Sequence, residues 1–171
     1  GKWGYRCTGM TFLNFIKIVE LVINDGHDPR TGMTLYQGNG TLLDFESFDD
    51  LWKSWEKNIA YYTRLSVALD VLADTHLEEF PDILCSSLID SCIERGKTAK
   101  EGGAKYDIIA GLQVGLSNAA NAMYALKKTV FEDKVLTKEE VFEALKNNFE
   151  GIDGERVRNI LLNVPKYGND I

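Results

Sequence analysis

The sequence is poor in cysteine and histidine, which build many catalytic and metal centres, and in proline. Its 171 residues include three cysteines, two histidines and three prolines. An odd, low cysteine count argues against a disulfide scaffold, and we expect free thiols in a reducing cytoplasm. Cys85 and Cys92 lie two turns apart along one face of a predicted helix, but two thiols alone make a poor zinc site. We therefore expect them to be buried, small apolar residues, and we predict no metal site.

Long single-sign charge runs and long apolar runs are also missing. The net charge is -7 with both signs interspersed, so an acidic surface argues against a nucleic-acid partner. No apolar stretch is long enough to span a bilayer, and the first residues lack the apolar core of a signal peptide. We expect a cytoplasmic protein without a membrane partner. The chain starts at Gly1 without a methionine, which we interpret as a first indication of an internal fragment.

Apolar residues recur at helical spacing along most of the chain, which predicts a mainly α fold with one or two short strands. Ser47 with Asp50 indicates the start of a long helix, and Thr137 with Glu140 forms a capping box, with Leu136 and Val141 as its hydrophobic staple. The predicted helices cover residues 11–24, 47–75, 81–95, 117–131, 137–149 and 155–163. The apolar stripe of the first helix includes Phe12, and that of the fourth is formed by Ala119, Met123, Leu126 and Val130.

One stretch alternates with a period of two. It runs from Tyr106 through Ile108, Leu112 and Val114, although Gly111 weakens a strand there. A single strand cannot form a sheet, so we expect it to pair with a segment outside this sequence. The apolar stripes of the long helix are also wider than a globule of this size can cover, which again favours a fragment.

Few residues suggest chemistry directly. His27, in a turn, and His76, near a helix end, are expected to be solvated or capping. Residues 101–105 (EGGAK) lack the spacing of a phosphate-binding loop, so we predict a tight turn with close backbone approach. No catalytic residue is predicted.

The opening segment combines aromatic, cationic and hydroxyl groups among glycines. Tyr5, Arg6 and Thr8 could line a substrate pocket, or the segment could be an aromatic loop packed on a core. From the residues alone these two interpretations carry equal weight. Cys7 has only Arg6 nearby as an activator, which is weak support for a nucleophile.

Seven segments in a fixed order together resemble one family, the glycyl radical enzymes of the pyruvate formate-lyase-like group. They are residues 1–10 (GKWGYRCTGM), 24–32 (NDGHDPRTG), 45–49 (FESFD), 92–97 (CIERGK), 101–106 (EGGAKY), 125–131 (ALKKTVF) and 165–170 (PKYGND). The resemblance covers residues 1–171, as a partial pyruvate formate-lyase-type domain beside the radical-cysteine loop.

The resemblance implies a segment of an α/β barrel and a lyase or formate C-acetyltransferase-like transferase of anaerobic metabolism. Such enzymes cleave C–C, C–N, C–O or C–S bonds, or add hydrocarbons to fumarate. Their glycyl radical is installed by an activating enzyme that uses S-adenosylmethionine and an iron–sulfur cluster, and the parent enzyme would be a homodimer acting on a small molecule. The radical cysteine and glycine of the family have no match here, so we expect this segment to bind no cofactor and to be inactive alone.

The resemblance also bears on the branch of the family. In the diol dehydratases and choline-cleaving members an aspartate that handles the substrate hydroxyl falls where this chain has Thr8. A threonine cannot act as a carboxylate base, so we expect a sulfonate-cleaving or uncharacterised branch, with Arg6 anchoring an anionic substrate. The alternative hypothesis is a free-standing helical interaction module without catalysis.

Overall fold

The computed structural model describes residues 5–8, 11–38, 40–109 and 111–168; for residues 5–8 and 109 the description is of the backbone. The chain divides into two compact units. Unit 1 comprises residues 1–13 and 61–114, and unit 2 comprises residues 14–60 and 115–171.

Helices dominate the described chain, which confirms a mainly α fold. The strands are β1 (Tyr5–Thr8), β2 (Phe12–Asn14), β3 (Tyr106–Ile109) and β4 (Leu112–Val114). The α-helices are α1 (Phe15–Ile23), α2 (Phe48–Leu77), α3 (Ile83–Leu88), α4 (Cys92–Arg95), α5 (Leu116–Leu126), α6 (Lys138–Lys146) and α7 (Gly151–Leu162). Short 3-10 helices cover Leu42–Asp44 and Ala99–Glu101, and a π-helical segment, Lys127–Glu132, follows α5.

The strands correct two expectations. β3 pairs in parallel with β1, with Tyr5 opposite Tyr106 and Thr8 opposite Ile109. The expectation that the strand needs a partner outside the sequence was therefore wrong. The alternating stretch is also two strands instead of one, and β4 pairs with β2. Gly111 lies between β3 and β4, in agreement with its predicted weakening effect.

The first helix starts later than its apolar pattern predicts. Residues 12–14 form β2, and Asn14 caps α1 by accepting a hydrogen bond from the Lys17 backbone N–H at 3.3 Å. Phe12, which the helical stripe included, is 68% exposed. An asparagine side chain favours such a cap over a helix interior, so helical spacing alone placed the boundary too early.

Unit 2 has an apolar core made by most of its helices. Val22, Leu42, Leu51, Val141 and Val157 are almost completely buried. The stripe predicted on the fourth helix is confirmed, because its members are all buried: Ala119, Met123, Leu126 and Val130.

Local capping in unit 2 also agrees with the sequence. The Ser47 backbone N–H donates to the Asp50 carboxylate at 3.0 Å, and the Asp50 N–H donates to Ser47 Oγ at 3.3 Å. At α6 the Glu140 N–H donates to Thr137 Oγ1 at 3.1 Å, and the Thr137 N–H donates to Glu140. Leu136 and Val141 beside this cap are both buried, as predicted for a hydrophobic staple.

Unit 1 buries fewer large apolar side chains than unit 2. One cluster in it comprises Ile89, Cys92, Ala99 and Ala104. Large apolar side chains remain exposed on its helices, strands and loops: Leu65, Val67, Leu69, Val71, Leu72, Phe80, Ile83, Leu84, Leu88, Ile93, Tyr106 and Ile108. The part of α2 that belongs to unit 1 buries the polar Asp70 instead. The apolar stripe predicted on α2 is therefore largely uncovered within the described chain.

The helix predicted over residues 81–95 is interrupted. Ser91 adopts a left-handed backbone conformation, with φ of 77°, between α3 and α4. Cys85 and Cys92 therefore lie on different helices. Cys92 is buried as expected, whereas Cys85 is exposed, so the prediction of two buried thiols on one face was wrong for Cys85.

The predicted tight turn in residues 101–105 is confirmed. A Cβ atom added to Gly103 would lie 2.2 Å from the Lys97 carbonyl oxygen, which leaves no room for a side chain. The Gly103 N–H donates to the Thr98 carbonyl at 2.9 Å. This segment is a closed turn that links α4 to β3.

The cap of α6 gives a testable prediction. Replacing Thr137 with alanine removes the acceptor for the Glu140 N–H, and we expect the free energy of unfolding to fall by about 1 kcal/mol. Thr137→Ser keeps the acceptor and should retain most of this stability. Urea denaturation of the 171-residue chain, followed by circular dichroism, measures the difference. Equal stability of the alanine and serine variants would contradict the capping role.

Candidate functional site

The candidate pocket residues lie on β1, the first strand of the parallel pair. The backbone of Tyr5, Arg6 and Thr8 is extended and paired with β3. Their side chains, and that of Cys7, lie outside the described part of the structure, so their assignment to a pocket stays a prediction. The alternative, an aromatic segment packed on a core, depends on the same side chains and is likewise untested. In parallel α/β folds ligands bind at the carboxyl ends of strands.

A polar cluster around the buried Asp70 lies just beyond the carboxyl ends of β1 and β3. We call it the Asp70 cluster; it comprises Thr11, Ser66, Asp70 and Gly111. The Asp70 carboxylate accepts hydrogen bonds from the Thr11 N–H at 3.0 Å and from Thr11 Oγ1 at 2.8 Å. Thr11 Oγ1 also lies 2.6 Å from Ser66 Oγ. This arrangement connects α2 to the segment that follows β1.

A second carboxylate organises the turn after α1. Asp28 is buried and accepts from Lys17 Nζ at 2.7 Å, from the Arg30 N–H at 2.9 Å and from Thr31 Oγ1 at 2.9 Å. The hydrogen bond from Lys17, and then that from the Arg30 backbone, hold the pKa of Asp28 well below its usual range. Lys17 also pairs with Glu20.

A groove of about 1540 Å³ in unit 2 is lined by α1, the Asp28 turn and residues of α5, α6 and α7. Lys17, Glu20 and Asp28 lie on its wall, and Lys17 forms an ion pair with each of the two carboxylates. Because both carboxylates are bound to Lys17, the three side chains stabilise the turn and leave no free acid–base pair among themselves.

The histidines and cysteines do not form a reactive centre in the part of the chain that the structure describes. His27 and His76 are both exposed, in agreement with the prediction of solvated side chains. Burial raises the pKa of the Cys92 thiol, which disfavours the thiolate. Among the described residues, no three His, Cys, Asp or Glu side chains come together as metal ligands, and no helix combines the length and apolarity of a membrane span.

Sequence reasoning missed Thr11 and Asp70. Thr11 was assigned to a helix, and Asp70 was passed over because the neighbouring leucines define the pattern of α2. The available signal was an aspartate four residues after a serine within an apolar stretch, which places both on one helix face. Their partner, more than 50 residues earlier in the chain, could not be inferred from spacing.

Comparison with known proteins identifies the class. The family model described as pyruvate formate lyase-like matches residues 1–171, and the chain belongs to this family. It is 45% identical to the "Probable dehydratase YbiW" of Escherichia coli K12 over 99% of this chain and 22% of that protein. It is 33% identical to the trans-4-hydroxy-L-proline dehydratase of Clostridioides difficile over 99% of this chain and 21% of that enzyme.

Solved structures agree with the family and with the fold of a barrel segment. The hydroxyproline dehydratase of Clostridioides difficile, with trans-4-hydroxy-L-proline bound, matches 96% of this chain with a TM-score of 0.85 and 31% identity. The B12-independent glycerol dehydratase of Clostridium butyricum, with glycerol bound, matches 97% with a TM-score of 0.83 and 31% identity. Each match covers 21% of the solved chain, so this chain spans about a fifth of these relatives' length.

The Asp28 turn predicts a pH-dependent stability. Because its native pKa is lowered, the ionised Asp28 stabilises the fold above the unfolded pKa of aspartate, about 3.9, and this contribution is lost as the pH falls through the native pKa. Asp28→Asn should therefore be less stable than wild type at neutral pH, and the difference should shrink in acid. Urea denaturation at a series of pH values measures it.

The matched control is Glu46→Gln, which removes one exposed carboxylate from the same unit and should change little at any pH. A stability difference for Asp28→Asn that stays constant from neutral to strongly acidic pH would contradict the assignment.

Proposed function

We propose that this chain is a segment of a longer glycyl radical dehydratase, in which it supplies scaffold and one wall of the substrate pocket. The single observation that carries the proposal is the 45% identity to a probable dehydratase across 99% of this chain and 22% of that protein. The hydroxyproline and glycerol dehydratases support the same reaction class, removal of water with cleavage of a C–O bond.

The exposed apolar surface of unit 1 supports the idea of a segment. Parallel sheets are normally covered on both faces, yet Tyr106 and Ile108 of β3 are 57% and 49% exposed. Leu84 of α3 is 76% exposed. The remaining four-fifths of the longer enzyme would cover these side chains. A free-standing interaction module is not favoured, because the relatives named above are enzymes that match over nearly the whole chain.

Within this proposal β1 contributes to the pocket wall through Tyr5, Arg6 and Thr8. Arg6 anchors an anionic group of the substrate by charge-assisted hydrogen bonds. Thr8 cannot act as a base, so the longer enzyme would provide the base that handles the substrate hydroxyl from another segment. In line with the dehydratases among the relatives, we now propose a branch that cleaves a C–O bond in place of the sulfonate-cleaving branch expected from Thr8. The proposed role of Arg6 as the anchor of an anionic group is unchanged.

The cofactor proposal follows from the family. The glycyl radical would reside outside residues 1–171, installed by an activating enzyme that uses S-adenosylmethionine and an iron–sulfur cluster, in a cytoplasmic, homodimeric longer enzyme. When present, the radical supplies hydrogen-atom abstraction from the substrate. The residues of this chain bind and orient the substrate.

One test concerns the chain alone. Because it has no counterpart of the radical cysteine or glycine, we expect no glycyl radical signal by electron spin resonance after anaerobic incubation with the activating enzyme. The longer enzyme, treated identically, should give the signal. A glycyl radical in the 171-residue chain would overturn the proposal that it is inactive by itself.

A second test concerns Arg6 in the longer enzyme. With a panel of anionic hydroxylated compounds and neutral diols, Arg6→Gln should raise KM for the anionic substrate by about tenfold or more, as expected when a hydrogen bond to a charged group is lost. Arg6→Lys should restore part of the affinity. Steady-state kinetics of water elimination under anaerobic conditions measures the effect.

The matched control is Arg158→Gln, which removes an exposed arginine from α7 and should leave KM unchanged. Equal effects of Arg6→Gln on charged and neutral substrates would contradict the anchoring role.

A further inference from the structure

Three segments of unit 1 meet at the carboxyl ends of the two parallel strands. Thr11 follows the end of β1 by three positions, and Gly111 follows the end of β3 by two. Ser66 and Asp70 lie one turn apart on α2. The Asp70 cluster therefore contacts the chain immediately after both strands, at the edge where parallel α/β folds bind ligands.

The buried carboxylate of Asp70 is satisfied by hydrogen bonds that Thr11 donates. Asp70 is 4% exposed, and burying a carboxylate is costly unless donors satisfy it. Each carboxylate oxygen accepts from a different donor of Thr11, the backbone N–H at 3.0 Å and the hydroxyl at 2.8 Å. Two such bonds to one residue restrict its position and also its orientation.

Gly111, which follows β3, also packs against Asp70 and Thr11. A Cβ atom at this position would lie 3.0 Å from Asp70 Oδ2 and 3.0 Å from Thr11 Oγ1. The backbone after β3 thus packs directly against the polar groups. In addition, the Leu112 N–H donates to the Thr11 carbonyl at 2.9 Å, so the segments that follow β1 and β3 are also bonded to each other.

We propose that Asp70 is a positioning residue: by holding Thr11 against α2 and Gly111, it sets the position of the carboxyl ends of β1 and β3, and so of the pocket wall. The statement about the pocket wall rests on the proposed function, whereas the positioning of the two strands does not. Asp70 acts through Thr11, because each of its carboxylate oxygens accepts a hydrogen bond from that residue.

The test uses the longer enzyme with Thr11→Val, Thr11→Ser and Asp70→Asn. Valine has the shape of threonine but lacks the hydroxyl donor, whereas serine retains it. Asparagine keeps one carbonyl acceptor and replaces the other oxygen with a donor. Hydrogen exchange of the amides in β1 and β3 reports local opening, and KM and kcat for water elimination report the pocket.

We expect Thr11→Val and Asp70→Asn to accelerate amide exchange in β1 and β3 by about tenfold, the effect of losing a hydrogen bond to a charged group. KM should rise by a similar factor with a smaller change in kcat, and radical content should stay at the wild-type level. Thr11→Ser should restore both exchange and KM. Thr75→Val and Glu56→Gln, two exposed positions on α2, serve as controls and should match wild type.

Wild-type exchange in β1 and β3 of Thr11→Val would overturn the proposal. Faster exchange with unchanged KM would also overturn it, since the cluster would then be structural alone. If Asp70→Asn fails to fold, the comparison of Thr11→Val with Thr11→Ser tests the proposal by itself. If the wild-type enzyme eliminates water from no hydroxylated compound, the proposed function fails, and the exchange comparison between Thr11→Val and Thr11→Ser still decides whether Asp70 positions the strands.

Discussion

The parallel pairing of β1 with β3 is the constraint on which the rest of unit 1 depends. The paired residues lie about a hundred positions apart in the chain, and parallel strands always need a long crossover between them. Two strands of four residues do not hold together by their own hydrogen bonds in water. Their pairing therefore needs support from the segments around them, and the Asp70 cluster supplies one such support at their carboxyl ends.

The two units differ in how much of their apolar surface is covered by their own residues. Unit 2 buries leucine and valine side chains from several helices in one apolar core. Unit 1 buries mainly small residues in its described cluster, Cys92, Ala99 and Ala104 beside Ile89, while leucines of α2 and α3 face outward. This contrast is what a barrel segment would show if unit 2 packs largely on itself and unit 1 packs against the rest of a longer enzyme.

Local signals in the sequence predicted much of unit 2. The caps at Ser47 and Thr137 depend on residues three positions apart, and the stripe from Ala119 to Val130 depends on one helical period. Unit 1 was harder to predict, because its order comes from contacts distant in sequence. The alternating pattern indicated β3 itself, but no local pattern shows that it pairs with β1 or that Thr11 is bonded to Asp70. Ser91, whose left-handed conformation breaks one helix into two, lies in an apolar helical pattern without the glycine or proline that most clearly marks a break.

The functional site was predictable only as far as the family. No arrangement of histidine, cysteine or carboxylate pointed to a reaction, and the order of seven segments identified the family, which the comparisons then confirmed. The assignment of Tyr5, Arg6 and Thr8 to a pocket stays a prediction, now with the added support that their backbone belongs to a parallel strand. The role of Asp70 could not be predicted from residue spacing, because its partner Thr11 is distant in the sequence and comes close only in the folded chain.

A crystal structure of the longer enzyme with its substrate bound tests the central claim most directly. The account predicts that β1 and β3 are neighbouring barrel strands, that at least one side chain of β1 contacts the substrate, and that the outward leucines of α2 are covered by the added polypeptide. A substrate bound away from β1, with those leucines still in solvent, would contradict it.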